Sequence, residues 1–362
     1  VEEAAVVTAF SIAELVIPAS VDAPDAGDFI EMARVRNRVG FELTGGWDLA
    51  VRPNELLPGW QAQAFEEKRM FVTRAGGRIV ARAVVELPVG TPLAWITIEV
   101  LRRYRRHGIG SALYDRVEAM AAAARHPVLQ GFAIQGASES VERIMAPTGF
   151  GSVARDDDGS RFLLARGFAL EQVARMSRLA LPVDPAVRRL HAQAVADVGA
   201  DYRVHYWAGR TPPEHLARVA DLRGRLASDA PQGGLEPDTS PWTADRVRTE
   251  DDHFEASPRT RLTALAEHLP TGEAAGYTEL DVPAERTRAV MQGDTIVLQE
   301  HRGHRLGLLL KTANLLRLEE VAPRHPSVLS FTAEENRHML QLNHSLGFVP
   351  WGYEGAWKKV LS

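Results

Sequence analysis

One order of features runs through this chain twice, and it constrains the fold more than any single motif does. Each half opens with a strand pattern, "FSIAELVIPA" near Phe10 and "DYRVHYWAG" near Tyr202, then turns helical in "DFIEMARVRNRV" and "PPEHLARVADLRGRL". A glycine pair and a tryptophan-bearing polar loop follow, Gly45-Gly46 with Trp47 and Trp60, then Gly233-Gly234 with Trp242. Two strand patterns closed by a turn come next, at Gly76-Gly77 in the first half and at Pro270 to Gly272 in the second. An apolar strand, an arginine- and glycine-rich segment and a helix with apolar residues at helical spacing complete the pattern. After that helix lies a further strand and a short helix ending in Gly-Phe, at Gly149-Phe150 and Gly347-Phe348. A repeat on the order of one domain in length predicts two copies of one α/β domain, each with a mixed α+β sheet. The copies are placed at residues 1–168 and 200–362. Residues 169–199, with two prolines and a short amphipathic segment, read as the linker between them.

Composition removes several function classes. The 362 residues are enough for two buried cores. With 45% hydrophobic and 25% charged residues, the chain reads as a soluble globular protein. The sequence contains no cysteine, which excludes disulfides, thiolate metal sites and a cysteine nucleophile. A net charge of -5 argues against a nucleic-acid partner. The first residues carry two glutamates, and no apolar run approaches about 18 residues. No membrane association and a cytoplasmic location are therefore expected.

The repeated arginine and glycine segment carries the chemistry. In "RYRRHGIGSAL" a strand hands over to a helix through Arg105, Arg106, His107, Gly108, Ile109, Gly110 and Ser111. The free backbone N–H groups of a helix start and its dipole make an anion site there. Gly110 admits a phosphate close to the main chain, Gly108 relieves crowding, and Arg105 and Arg106 add charged donors. The second copy repeats the segment as Arg302, Gly303, His304, Arg305, Leu306, Gly307 and Leu308. The spacing Arg-x-x-Gly-x-Gly is neither the lysine-bearing loop of nucleotide hydrolases nor the dinucleotide fingerprint.

This segment resembles the pyrophosphate loop of the GNAT superfamily of N-acetyltransferases, Gln/Arg-x-x-Gly-x-Gly/Ala. Arg105, Gly108 and Gly110 match it fully, whereas in the second copy Arg302 and Gly307 match and Arg305 stands at the first glycine position. The resemblance covers both halves and implies a tandem GNAT protein using acetyl-CoA to acylate a primary amine of a small molecule. It implies that Val100 and Leu101, or Val297 and Leu298, pair with the pantetheine arm and offer an N–H to the thioester oxygen. It also implies a cofactor contact at Asn336, with Ser138 as the shorter counterpart in the first copy. The tyrosine that often protonates the leaving thiolate is replaced by Met145 and Asn343, four residues before each Gly-Phe glycine.

Acetylation of an amine also needs a proton acceptor. Strand alternation puts Thr97 and Glu99 on one face, and Asp294 matches Thr97 in the second copy. Such carboxylates also serve as plain arginine partners, and Glu86 and Glu279 are weaker candidates on the preceding strand. The more complete loop points to the first copy for CoA binding. Asn336, Asn343 and Asp294 place catalysis in the second copy, with Asp294 as base, Asn343 near the thiolate and Glu99 as the first copy's counterpart. His301 and His304 lie close together without a third ligand, so no metal is expected. A second class of function, a non-catalytic acyl-CoA-binding sensor or scaffold, shares the same loops and differs in lacking turnover.

Overall fold

In the computed structural model, which describes residues 9–136 and 140–361, the first half follows the expected order with one insertion. It runs through β1 (Ser11–Glu14), α1 (Gly27–Thr44), α2 (Pro53–Gln61), β2 (Glu66–Ala75), β3 (Arg78–Pro88), β4 (Leu93–Val100), α3 (Ile109–Ala123) and β5 (Val128–Gly136). The hairpin β6 (Arg143–Met145) and β7 (Ser152–Ala154) comes next, then α4 (Asp158–Ala165) and β8 (Ala169–Ala180). The second half contains α5 (Pro185–Val198), β9 (Tyr202–Ala208), α6 (Leu216–Asp229), α7 (Ala244–Glu255), β10 (Arg259–His268) and β11 (Glu273–Pro283). It ends with β12 (Val290–Val297), α8 (Leu306–Val321), β13 (Ser327–Ala333), α9 (Arg337–Ser345) and β14 (Val349–Val360).

Two compact units result, and their boundaries do not follow chain order. Unit 1 contains the chain up to Val173 together with Gln232–Ser240 and Gly352–Ser362; unit 2 contains Ala174–Pro231 and Pro241–Trp351. In unit 1 the strand order is β1-β2-β3-β4-β5-β14, antiparallel except for β4 and β5. Unit 2 has the order β8-β13-β12-β11-β10-β9, with β12 and β13 the parallel pair. Each sheet is thus completed by a strand from the other half of the chain: Gly352 to Val360 lie opposite Gly136 to Val128, and Ala174 to Ala180 opposite Ala333 to Ser327.

Residues 169–199 are not a linker: they form β8 and α5. The prolines mark real ends, since Pro185 opens α5 and the Asp184 side chain accepts from the Ala186 N–H at 2.7 Å. Val187, Ala194 and Val198 then form a buried stripe. The stripe covers α8, where Leu306, Leu309 and Leu310 pack with Ala194 and Val198 while Leu315 and Leu318 pack near Val187.

The sheet of unit 1 is covered on both sides. Ala81, Ala83 and Val85 of β3 face Ile109, Leu113 and Val117 of α3, while Val84 faces Phe29, Met32 and Val35 of α1. Burying both faces explains why the central strands read as continuous apolar runs. Among the described residues no helix is long and apolar enough to cross a membrane.

Candidate functional site

The parallel strands in each unit separate soon after they meet. β4 and β5 pair from Leu93–Val128 to Trp95–Gln130, and β12 and β13 pair only at Val290–Val328 and Met291–Leu329. Beyond those points each sheet has a gap. The N–H groups of Leu101 and Leu298 do not reach it, because they donate to Val80 O at 3.1 Å and Ala275 O at 2.9 Å on the hairpin side. Strand alternation directs the N–H groups of Val100 and Val297 the other way, toward the gap. Of the two residues expected at each strand end, the valine carries the available donor.

Both loops leave the gap by a 3₁₀ turn, Arg102–Tyr104 or Gln299–His301, and both need two left-handed residues before the helix starts. Unit 1 uses Arg106 (φ 66°) and Gly108 (φ 79°), whereas unit 2 uses Gly303 (φ 88°) and Arg305 (φ 58°). Each loop therefore has one glycine and one arginine, in opposite order. The non-glycine member costs about 1–2 kcal/mol of conformational energy. Arg305 turns its guanidinium to Asp197 at 2.9 Å, an exposed pair of small worth. Arg305→Gly is expected to stabilise the protein by roughly 0.5–1 kcal/mol, a melting rise of a few degrees by calorimetry; a lower melting temperature would refute the strain argument.

Arg105 and Arg302 brace their loops. The Nε of Arg105 donates to Val100 O at 3.0 Å and its Nη1 meets Asp158 at 3.2 Å; the Nε of Arg302 donates to Val297 O at 3.1 Å. These arginines fix the strand end that precedes the helix. Among the described residues no side chain caps α3 or α8, so their first-turn N–H groups keep their anion-binding capacity. Ile109 and Leu306 point their side chains into the core.

In unit 2 a cavity of about 680 Å³ lies along this gap. Its walls include Thr295 to Val297, Arg302, Gly303, Arg305 to Leu308, Asn336 and Leu342. An ideal Cβ on Gly307 would lie 3.3 Å from Leu342 Cδ1, so the glycine keeps the helix start open to the cavity. Asn336 caps α9, accepting from Met339 N–H at 3.2 Å. Asn343 does not line the cavity: it is buried, and its amide donates toward Ser330 Oγ and Thr332 Oγ1 at 3.4 and 3.2 Å. Its expected place beside the thiolate is corrected accordingly.

The matching part of unit 1 is differently closed. Here α4 is the counterpart of α9, and it ends in Gly167-Phe168; Gly149-Phe150 belongs to the inserted hairpin, and Met145 lies in β6. Asp157 caps α4 where Asn336 caps α9, accepting from Gly159 N–H at 2.8 Å. Ser138 lies outside the described residues. The second Gly-Phe pair was visible in the sequence and would have located Asp157. Asp158 ties α4 to Arg105, and the Phe162 ring lies 3.5 Å from where a Cβ on Gly110 would sit.

The carboxylates divide clearly. Glu99, the first copy's expected counterpart of Asp294, forms a tight ion pair with the buried Arg82. Glu99→Gln is expected to leave turnover unchanged while destabilising the fold by about 3 kcal/mol, because Arg82 loses its charged partner; urea melts check this, and an undiminished stability would contradict it. Asp294 sits on β12 and is exposed to solvent. It accepts from the Tyr277 hydroxyl at 3.0 Å. Desolvation and then Glu279 push its carboxyl above the ordinary range, opposed by Arg223; water contact limits the push. Burial, Asp294 and Glu279 raise the Tyr277 phenol well above its usual value, so it stays a donor.

Around Asp294 the sequence reading missed a network. Buried Arg223 bridges Glu279 at 3.1 Å and Glu250 at 3.0 Å, and its guanidinium lies 4.8 Å from the Trp242 ring. Trp242 also stacks on Arg246 at 4.2 Å, Trp60 is core, and Trp47 is half-exposed against Phe41. His301 takes part in a buried contact with the Tyr202 hydroxyl at 3.0 Å. Among the described residues no group of three potential ligands could hold a metal.

Residues 31–130 match the acetyltransferase (GNAT) family. A tandem GNAT protein from the clavulanic acid biosynthesis pathway is similar over 97% of this chain and 98% of that one, at 24% identity and a TM-score of 0.75. A GCN5-related N-acetyltransferase from Sphaerobacter thermophilus aligns over 97% and 95% of the two chains, at 15% identity and a TM-score of 0.59. The glucosamine N-acetyltransferase region of a fungal multi-domain GH3 β-N-acetylglucosaminidase covers 97% of this chain and 38% of its own, at 12% identity and a TM-score of 0.58. No curated protein matches by sequence. The fold is that of a tandem GNAT protein.

Proposed function

We propose, for a chain of tandem GNAT fold whose residues 31–130 carry the GNAT pattern, transfer of an acetyl group from acetyl-CoA to a primary amine of a small molecule in unit 2. The observation that carries this reading is the unit 2 cavity, which joins the gap beside Val297 to the uncapped start of α8. A cavity bordered by an uncapped helix start suits a molecule with an anionic end. The diphosphate would be held by the first turn of α8 with Gly307 allowing close approach, and Asn336 and Leu342 would flank the arm. Acetyl-CoA, when bound, supplies the activated acyl thioester.

The chain's own residues do the rest. Val297 offers its backbone N–H toward the gap, where a donor favours developing charge on the carbonyl oxygen. Asp294 receives a proton from the incoming ammonium, and Tyr277 orients that carboxylate by its hydrogen bond. Glu279 is ion-paired to Arg223 at 3.1 Å and to Arg261 at 3.8 Å, so Asp294 is the one of the two carboxylates not tied to an arginine. With Asn343 buried away from the cavity, the leaving thiolate takes its proton from solvent. In the test, purified protein with acetyl-CoA and an amine panel should release free CoA and yield an amine carrying one acetyl group by mass spectrometry. Acyl-CoA binding without release with every amine would favour the non-catalytic sensor.

A further inference from the structure

Unit 1 carries an arrangement that the transfer site in unit 2 does not use. On β4 and β5, Ala94, Ile96 and Leu129 face α3, so Trp95 and Phe132 emerge on the opposite side of the sheet. Their rings stack with centroids 5.4 Å apart and planes 11° from parallel, and Phe132 is 50% exposed. On β14, Glu354 lies opposite Ile134 and Ala356 lies opposite Phe132. Residues two apart on a strand are about 7 Å apart, which puts the Glu354 carboxyl one short step from the aromatic platform.

Glu354 is half-buried and makes no hydrogen bond or ion pair among the described residues, unlike Glu99 on the same face, which holds Arg82. Burial alone pushes its carboxyl up to about 7. A wall beside it comes from residues 232–240: Glu236 donates its N–H to Gln130 Oε1 at 2.6 Å and accepts from Gln130 Nε2 at 3.1 Å. Gln130 pairs with Trp95, so this segment runs along the platform; its own carboxylate, that of Glu236, is taken up by Lys358 of β14 at 3.5 Å, which leaves Glu354 as the carboxyl open to a ligand. An exposed ring pair with an unpartnered carboxyl and no arginine bound to it is complementary to a cation with an apolar stem. Ring faces attract ammonium groups, and a carboxylate short of water gains most from a cationic partner. One carboxylate at this spacing is too few oxygens for a hard metal ion.

We propose that unit 1 binds an alkylammonium compound, its charged nitrogen at Glu354 and its carbon stem on Phe132 and Trp95. The site is complete only in the full chain, because Glu354 belongs to the last strand and the rings to the first half. Its occupancy needs no CoA and stands apart from the transfer reading.

The test is calorimetric titration of the full-length protein with 1,4-diaminobutane and with butylammonium, without acetyl-CoA. Wild type should bind both and bind 1-butanol at least tenfold more weakly. Glu354→Gln, isosteric and breaking no ion pair, should weaken the amines tenfold or more. Phe132→Ala should weaken them severalfold, and Asp294→Asn should leave this binding in place. The proposal is overturned if Glu354→Gln and Phe132→Ala both bind as wild type does. It is equally overturned if Asp294→Asn alone abolishes the heat, or if the alcohol binds as well as the amines.

Discussion

Asp294→Asn should lower kcat by about a hundredfold or more, the usual consequence of removing a general base, while the affinity for acetyl-CoA changes little. Steady-state kinetics with saturating acetyl-CoA and a responsive amine measure this. The fold should survive, because asparagine can still accept the Tyr277 hydrogen bond at the site of a 3.0 Å contact. The pH dependence gives a second reading. Since burial and Glu279 raise the folded carboxyl, charging it is harder in the native protein than in the unfolded chain. That penalty is absent below the ordinary aspartate range and present in full above the raised value, so the variant should be no less stable at neutral pH. For the same reason the acid limb of kcat/KM in the wild type should lie above the ordinary carboxylate range and disappear in the variant. A variant with wild-type turnover would remove Asp294 from the mechanism.

Gly307→Glu should weaken CoA binding by about a hundredfold or more, since it adds both bulk and negative charge where an anion must meet the helix start. The fit is tight, since even a Cβ there would lie 3.3 Å from Leu342 Cδ1. Gly110→Glu, at the equivalent position in unit 1, should leave the affinity nearly unchanged, because there the Asp158 carboxylate ties α4 to Arg105 of that loop. Calorimetric titration of the two variants separates the units. If Gly110→Glu loses CoA and Gly307→Glu does not, the binding site is in unit 1, as the more complete loop motif alone suggests.

The comparison of Arg305 with Gly108 shows how far a motif can be read. The sequence shows an arginine in place of a glycine and suggests a weakened loop. The backbone shows that both loops require two left-handed residues and that each tolerates an arginine at one of them. The repeat, the hairpins and the loop-to-helix junctions were legible because local turn chemistry and apolar periodicity encode them. The exchange of β8 and β14 was not, since a strand's alternation specifies which face is buried and not which neighbour pairs with it. Glu354 was invisible for that reason: its significance comes from lying beside β5, more than two hundred residues earlier in the chain. The role of Asn343 failed differently: it lies one turn after Met339 and next to Leu342, both on the cavity wall, and only its tertiary contacts to Ser330 and Thr332 turn it inward.

The account turns on acetyl-CoA occupying unit 2, and amide hydrogen exchange with and without acetyl-CoA tests that most directly. Protection is predicted in peptides spanning Thr295 to Leu308 and Asn336 to Leu342, with those spanning Val100 to Ser111 unchanged. Protection confined to Val100 to Ser111 would contradict it.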